Sequence, residues 1–267
     1  MEPAGLAVGV LALAGLFNNA VQCFEYIQLG RGFGSKFQTC QLRLDCAQLR
    51  LSRWGRSLGL DVAQPQQTLP DFPGSPEEVK LAEGLLGQIL DLFEIAEFRS
   101  SQFKKRASPD DDTLATYDSQ TDLEPTFGFI HRVMRKLAID TQKQATLKEK
   151  TKWALYEENA LGRLIEDITK HVEDLINLFP TAKPRQQELC KAEVSEIEVH
   201  EAGARVLREI AAQQDKLLET MLMKSGNNSA QPQPAISAVF SGSNNKGVQL
   251  ASNSGTYTMG NMTFGKD

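Results

Sequence analysis

PAGLAVGVLALAGLFNNAVQCF, Pro3 to Phe24, is the stretch around which the rest of this 267-residue chain has to be understood. It holds no charge over 22 positions, and from Ala4 to Phe17 every residue is apolar or Gly. At a rise of about 1.5 Å per residue, a helix from Gly5 to Phe24 would be roughly 30 Å long, close to a bilayer's hydrocarbon thickness. Other features pull the opposite way. Asn18, Asn19 and Gln22 lie in its last third, and Gly5, Gly9 and Gly15 each weaken a helix. The segment is long enough to span a membrane and polar enough to pack in a soluble bundle.

The totals narrow the function classes. A net charge of −5 leaves no overall polycationic field, so nucleic acid is not an expected partner. The four cysteines, Cys23, Cys40, Cys46 and Cys190, form neither CxxC pairs nor a disulfide ladder, and buried thiols in a reducing compartment are expected. With Glu2 as the only early charge, the start lacks the basic region of a secretory signal. Cytoplasmic residence follows as the expectation, with the sequons at Asn227 and Asn261 unused.

Past the apolar stretch, Gly30, Gly32 and Gly34 end the first helix in a flexible turn. Their G-x-G-x-G spacing lacks a preceding strand and a Walker lysine, so it is not a phosphate loop. Helical patterning resumes from Ser35 to Leu58, with Arg50, Arg53 and Arg56 gathered toward the end, where a helix dipole favours cations. Ser75-Pro76-Glu77-Glu78 is a capping box with proline at the first helical position, and the helix it opens is apolar on more than one side from Leu85 to Phe93. Residues 108–124 form a polar loop whose Asp110, Asp111 and Asp112 lack the register of a calcium loop. Helices are then expected over Pro125–Ala138, Thr141–Tyr156, Leu161–Phe179 and, as one long segment, Arg185–Met223. Seven Lys/Arg between His131 and Trp153 face only Asp140 and Glu149, an excess read either as a solvated helix face or as a contact for anionic lipid. The body is expected to be all-α.

After Met223 the composition changes. Asn, Gly and Ser dominate residues 225–267, whose only charges are Lys246, Lys266 and Asp267. Such a tail cannot bury enough apolar surface to fold alone and is expected to be disordered as a monomer. Yet short β-prone units recur in it, ISAVF (Ile236 to Phe240), VQL (Val248 to Leu250) and TYTM (Thr256 to Met259), and no proline follows Pro234. Low charge, β-formers and Asn positions able to form amide ladders suit cross-β stacking.

Catalytic signatures are missing from the pattern. His131, His171 and His200 lie far apart without a ligand set at metal spacing, and there is no HExxH, CxxC or GxSxG. The residues therefore point to a protein that is not an enzyme, with no cofactor, no metal and no small-molecule substrate.

GLFNNAVQCFEYIQLGRGFG (Gly15 to Gly34), CQLRLD (Cys40 to Asp45), RLSRWG (Arg50 to Gly55) and KTKWALY (Lys150 to Tyr156) closely resemble the HeLo domain of the fungal HET-s/HET-S heterokaryon-incompatibility proteins. The resemblance implies a helical-bundle HeLo domain over residues 1–223 and a prion-forming tail over 224–267. It also implies a mechanism: templated folding of the tail destabilises the bundle and frees an N-terminal helix, about residues 4–27, to permeabilise membranes. In that scheme Leu6, Val8, Val10, Leu11, Leu13, Leu16, Phe17, Val21 and Phe24 supply the bilayer contact, and Gly30, Gly32 and Gly34 the hinge.

The tail departs from the namesake proteins, whose prion segment has two longer charged repeats. GSNNKGVQLASNSGTYT (Gly242 to Thr258) is similar instead to the sigma-type amyloid motif of related fungal proteins. Asn245, Gly247, Val248, Gln249, Leu250, Asn253, Gly255, Thr256, Tyr257 and Thr258 would form the amyloid core. Implied partners are copies of the chain itself, a NACHT-type receptor carrying a matching motif, and membrane lipid, with relocation from cytoplasm to plasma membrane on activation. The alternative within the same family is a non-toxic prion or adaptor partner that co-assembles with a toxic one.

Overall fold

The computed structural model describes residues 3–61, 72–108, 114–139, 152–197 and 201–229. Among these residues eight α-helices run in the order α1 (Pro3–Cys23), α2 (Phe37–Ser57), α3 (Pro76–Arg106), α4 (Pro125–Ile139), α5 (Glu158–Leu178), α6 (Lys183–Ile197), α7 (Glu201–Gln214) and α8 (Lys216–Ser229). The all-α class is as expected, and the start of α3 follows its sequence signal closely. Ser75 Oγ accepts from the Glu78 N–H at 3.2 Å, while Glu78 Oε2 accepts from the Ser75 N–H at 2.7 Å.

Helix α2 is the axle. On one side Leu44, Leu51 and Trp54 belong to a core shared with α1, α3 and α5. On the other, Leu42, Cys46 and Leu49 join a second core built by α4, α6, α7 and α8. A helix buried on both sides must bury its polar residues too, and α2 does so with partners. Arg53, 2% exposed, donates through Nε to Glu193 of α6 and through Nη1 to Asp215 between α7 and α8, both at 2.8 Å. Arg50 Nη1 donates to the Gln214 carbonyl at 2.8 Å, and Asp45 lies 2.7 Å from His131 of α4. The spacing that gathers these arginines toward a helix end gives no sign that they are bound by other elements. The alternation of Leu with Arg gives the same pattern whether the polar face meets water or a second layer carrying carboxylates.

Three further expectations are corrected. Trp153–Leu155, assigned to a helix over Thr141–Tyr156, is a strand, β2, which pairs in parallel with β1 (Ile27–Leu29) in the register Ile27–Trp153, Gln28–Ala154, Leu29–Leu155. Residues 140–151 lie outside the described ones. The single segment Arg185–Met223 is three helices, and α7 gives way to α8 at Asp215, whose side chain accepts from the Leu218 N–H at 3.1 Å and so starts α8. The glycine run Gly30, Gly32 and Gly34, expected to lack a preceding strand, follows directly on β1, which ends at Leu29; in α3, Val79, Ala82, Leu86, Ile89 and Phe93 face the core, and Leu81, Ile95 and Phe98 are exposed. The four cysteines are buried and form no disulfide with one another, and burial pushes the Cys190 thiol up to about 12.

Candidate functional site: the docked apolar helix and its latch

The buried face of α1 is one stripe at spacings of three and four, Val10, Leu13, Ala14, Phe17, Ala20 and Val21, continued by Phe24 just past its end. Five of the nine expected membrane contacts lie on it. Leu6, Leu11 and Leu16 are half-buried, and Val8 is 67% exposed. Among the described residues one helical stretch, Leu6–Tyr26, is long and apolar enough to cross a bilayer, and 39% of its most apolar window is buried. The helix therefore shows a packed apolar face to α2 and α3 and a second, largely apolar face to solvent.

Two close approaches set how α1 docks. A Cβ on Gly9 would lie 3.2 Å from Val79 Cγ1, so α1 lies close against α3 there. At Gly55 the fit is tighter. Its missing Cβ would sit 2.3 Å from Phe17 Cε2, and the Phe17 ring fills that notch with its edge toward Trp54, centroids 6.1 Å apart at 66°. Trp54 is held in turn by donating Nε1–H to the Leu175 carbonyl at 3.1 Å and by packing against Phe179. Farther along, Phe24 meets Phe93 of α3 edge to face at 4.9 Å.

Beyond Cys23 the chain is tied rather than loose. Gln48 Nε2 donates to the Val21 carbonyl at 3.2 Å and to Glu25 Oε1 at 2.7 Å, and Glu25 forms an ion pair with Arg135 of α4. One of the carbonyls left open at the end of α1 is thereby satisfied. Strand β1 follows, flanked on both sides: the Gly30 N–H donates to the Leu155 carbonyl at 2.7 Å, and the Tyr117 N–H donates to the Leu29 carbonyl at 2.8 Å. Tyr117 stacks on Phe37 with centroids 4.0 Å apart, and the Arg31 guanidinium lies 5.5 Å over the Tyr117 ring. Of the three glycines read as a hinge, Gly30 is buried in this latch, Gly32 is exposed, and Gly34 takes a positive φ of 51° that favours glycine. Not every polar group is served: no donor among the described residues reaches the buried Asn18 Oδ1.

The structure thus gathers seven of the nine apolar side chains onto or beside one docking surface, all but Val8 and Leu11, and sets the three glycines immediately behind it. The expected amyloid set from Asn245 to Thr258 lies outside the described residues. Sequence reasoning missed Gln48, Gly55, Tyr117 and Arg135. Only Gly55 left a local signal, an isolated glycine that weakens a helical pattern, and that signal does not name its role.

Comparison with known proteins agrees with this architecture. Residues 5–207 match the HeLo family, described as prion-inhibition and propagation, and residues 232–259 match the SesB domain on fungal death-pathway protein. The chain is similar to heterokaryon incompatibility protein s of Podospora anserina, 37% identical over 210 residues, which cover 79% of this chain and 70% of that protein. It is equally similar to heterokaryon incompatibility protein S of the same organism, 37% identical over 213 residues with the same coverage. Its fold matches the solved HET-s N-terminal domain with a TM-score of 0.73 and 34% identity, over 81% of this chain and 98% of that one. A doubly substituted variant of that domain matches at a TM-score of 0.72.

Proposed function

This chain belongs to the HeLo family of prion-inhibition and propagation proteins, and from that premise we propose that it is a fungal cell-death effector which acts by releasing α1 into a membrane. The observation that carries the proposal is the state of α1, an apolar helix of membrane-spanning length docked by one face. The division of labour follows: residues 1–223 hold and release the helix, and residues 224–267, which include the SesB match, receive the signal by templated self-assembly. Copies of the chain, a NACHT-type receptor with a matching tail motif and membrane lipid are its partners. It rests in the cytoplasm and moves to the plasma membrane on activation, with no catalytic step.

Magnitudes explain why a trigger is needed. Burying a large apolar side chain stabilises by about 1.5–3 kcal/mol, so the Val10, Leu13, Phe17, Val21 and Phe24 contacts together hold α1 by roughly 8–15 kcal/mol. Apolar residues at the centre of a membrane helix gain only about 0.3–0.6 kcal/mol each. Lipid alone does not outcompete the docking surface, so the bundle must first be loosened by assembly of the tail.

Dye release from liposomes tests the proposal. Full-length protein seeded with fibrils of residues 225–267 should release dye, and Val8→Asp should abolish release while leaving the fold intact, because Val8 points to solvent in the docked state. An Asp in a membrane helix costs up to about 2.5–3.5 kcal/mol at the centre and less toward the end where Val8 lies, still enough to oppose an insertion worth a few kcal/mol. Release by the Val8→Asp protein would rule out α1 as the membrane element.

The second reading, a non-toxic adaptor whose α1 stays docked, is favoured by the tightness of the Phe17–Gly55 contact. Expressing the chain alone and scoring viability after seeding separates the two: death supports the effector, survival with fibrils present supports the adaptor.

A further inference from the structure

A cleft of about 770 Å³ opens beside the end of α1. The segment from Glu25 to Leu29 lines one side of it, and three cations converge on it from two elements, Arg132 and Arg135 from α4 and Lys152 at the head of β2. Its carboxylates are engaged already. Glu25 pairs with Arg135 and accepts from Gln48, while Asp118 Oδ1 accepts from the Gln120 N–H at 2.9 Å. His131, which also lines the cleft, is turned to Asp45. Arg132 and Lys152 have no carboxylate partner among the described residues.

We propose that this cleft binds a phosphate group, taking Arg132 and Lys152, which have no carboxylate partner among the described residues, and competing with Glu25 for Arg135. Guanidinium groups match phosphate oxygens in paired, charge-assisted hydrogen bonds, and a lysine adds a point charge. A solvated helix face would spread its cations along one element, whereas here cations from two parts of the chain line one concavity. Arg135 is partly desolvated as it stands, since burial lowers its pKa, so it gains from a more highly charged partner.

Occupancy bears on α1 directly, and this consequence rests on the effector reading. Glu25 lies just past the C-terminal end of α1, where the helix dipole disfavours an anion and the Arg135 pair offsets it. Phosphate that takes Arg135 leaves Glu25 held by Gln48 alone and weakens docking. By reciprocity, release of α1 strengthens phosphate binding.

The binding test uses the full-length, unseeded chain, so that its outcome is independent of dye release. One arm measures sedimentation with phosphatidylcholine vesicles made with and without phosphatidic acid. The other titrates inorganic phosphate at constant ionic strength and follows the fluorescence of Trp153, next to Lys152. The paired change Arg132→Glu with Lys152→Glu is compared with Lys104→Glu with Lys105→Glu, which alters net charge equally at the exposed end of α3. The cleft pair should weaken binding about tenfold or more in at least one arm, as expected for losing charge-assisted contacts, and the control pair should change it little. A response in the vesicle arm alone assigns the phosphate to a lipid headgroup, and one in the titration alone to a soluble phosphate. No binding in either arm, or equal weakening by both pairs, overturns the proposal.

Discussion

Gly55 shows how a single missing atom shapes the surface that holds α1. Any side chain there must displace the Phe17 ring, because the first added carbon would lie 2.3 Å from it. Gly55→Ala should destabilise the domain by about 1–3 kcal/mol in urea unfolding, the usual cost of overpacking a filled core. Phe17→Leu in the same chain should recover part of that loss; no recovery would mean that the Phe17 notch is not the source. Arg53 behaves in the opposite sense. Arg53→Met leaves Glu193 and Asp215 buried without their cation and should cost about 3–5 kcal/mol. The carboxyls of Glu193 and Asp45 are held above the usual carboxylate range, in both cases chiefly by burial, against the opposing pull of Arg53 and His131 respectively. The folded state therefore binds these protons more tightly than the unfolded chain does. Their contribution to stability is complete below the unfolded carboxyl pKa and is lost as pH rises through the folded-state values. Urea midpoints measured upward from the ordinary carboxylate range should fall more steeply for the wild type than for Glu193→Gln; identical slopes would contradict the assignment. Gly55 and Arg53 both sit in RLSRWG, a block conspicuous in the sequence. Neither role was legible there, because each depends on a residue far away in the chain, Phe17 for one and Glu193 and Asp215 for the other.

Among the elements, α1 was the most legible and β2 the least. Twenty-one residues without a charge allow little but a helix, and the 3–4 spacing of Val10, Leu13, Phe17 and Val21 marks its buried stripe. A three-residue strand carries no periodicity of its own, and Trp153–Leu155 becomes one only because Ile27–Leu29 lies alongside. That pairing makes the latch a property of two segments more than a hundred residues apart. Gly30→Pro removes the N–H donated to Leu155 without altering the apolar face of α1. Amide exchange over β1 and the last turn of α1 should then speed up, while exchange in α6 to α8 stays as in the wild type. Unchanged exchange around β1 would show that the strand pairing does not restrain the helix. The outer side of α3 adds an observation that amphipathic patterning does not explain: Leu81, Ile95 and Phe98 are exposed, and nothing in the structure shows what covers them.

For the whole molecule, the arrangement of the two cores around α2 matters more than any one contact. Asp215 starts α8, the last described helix before the tail sequence, and binds Arg53; the two residues after Arg53 in the chain, Trp54 and Gly55, cradle Phe17 of α1. The HeLo architecture and the two-part sequence layout were evident from the quoted motifs and the change in composition near residue 223. The short path from α8 through α2 to α1 was not, because it lies in the packing of helices whose polar faces look solvated in sequence. The central claim is that α1 leaves this surface when the tail assembles. It is tested most directly by locking the helix in place with Gly9→Cys and Val79→Cys, positions close enough for a disulfide between α1 and α3. The native cysteines are buried, which limits their competition for oxidation. Dye release is then measured on the seeded full-length protein before and after reduction. The account requires the oxidised protein to be silent and the reduced protein to release dye as the wild type does; equal release by the oxidised protein would contradict it.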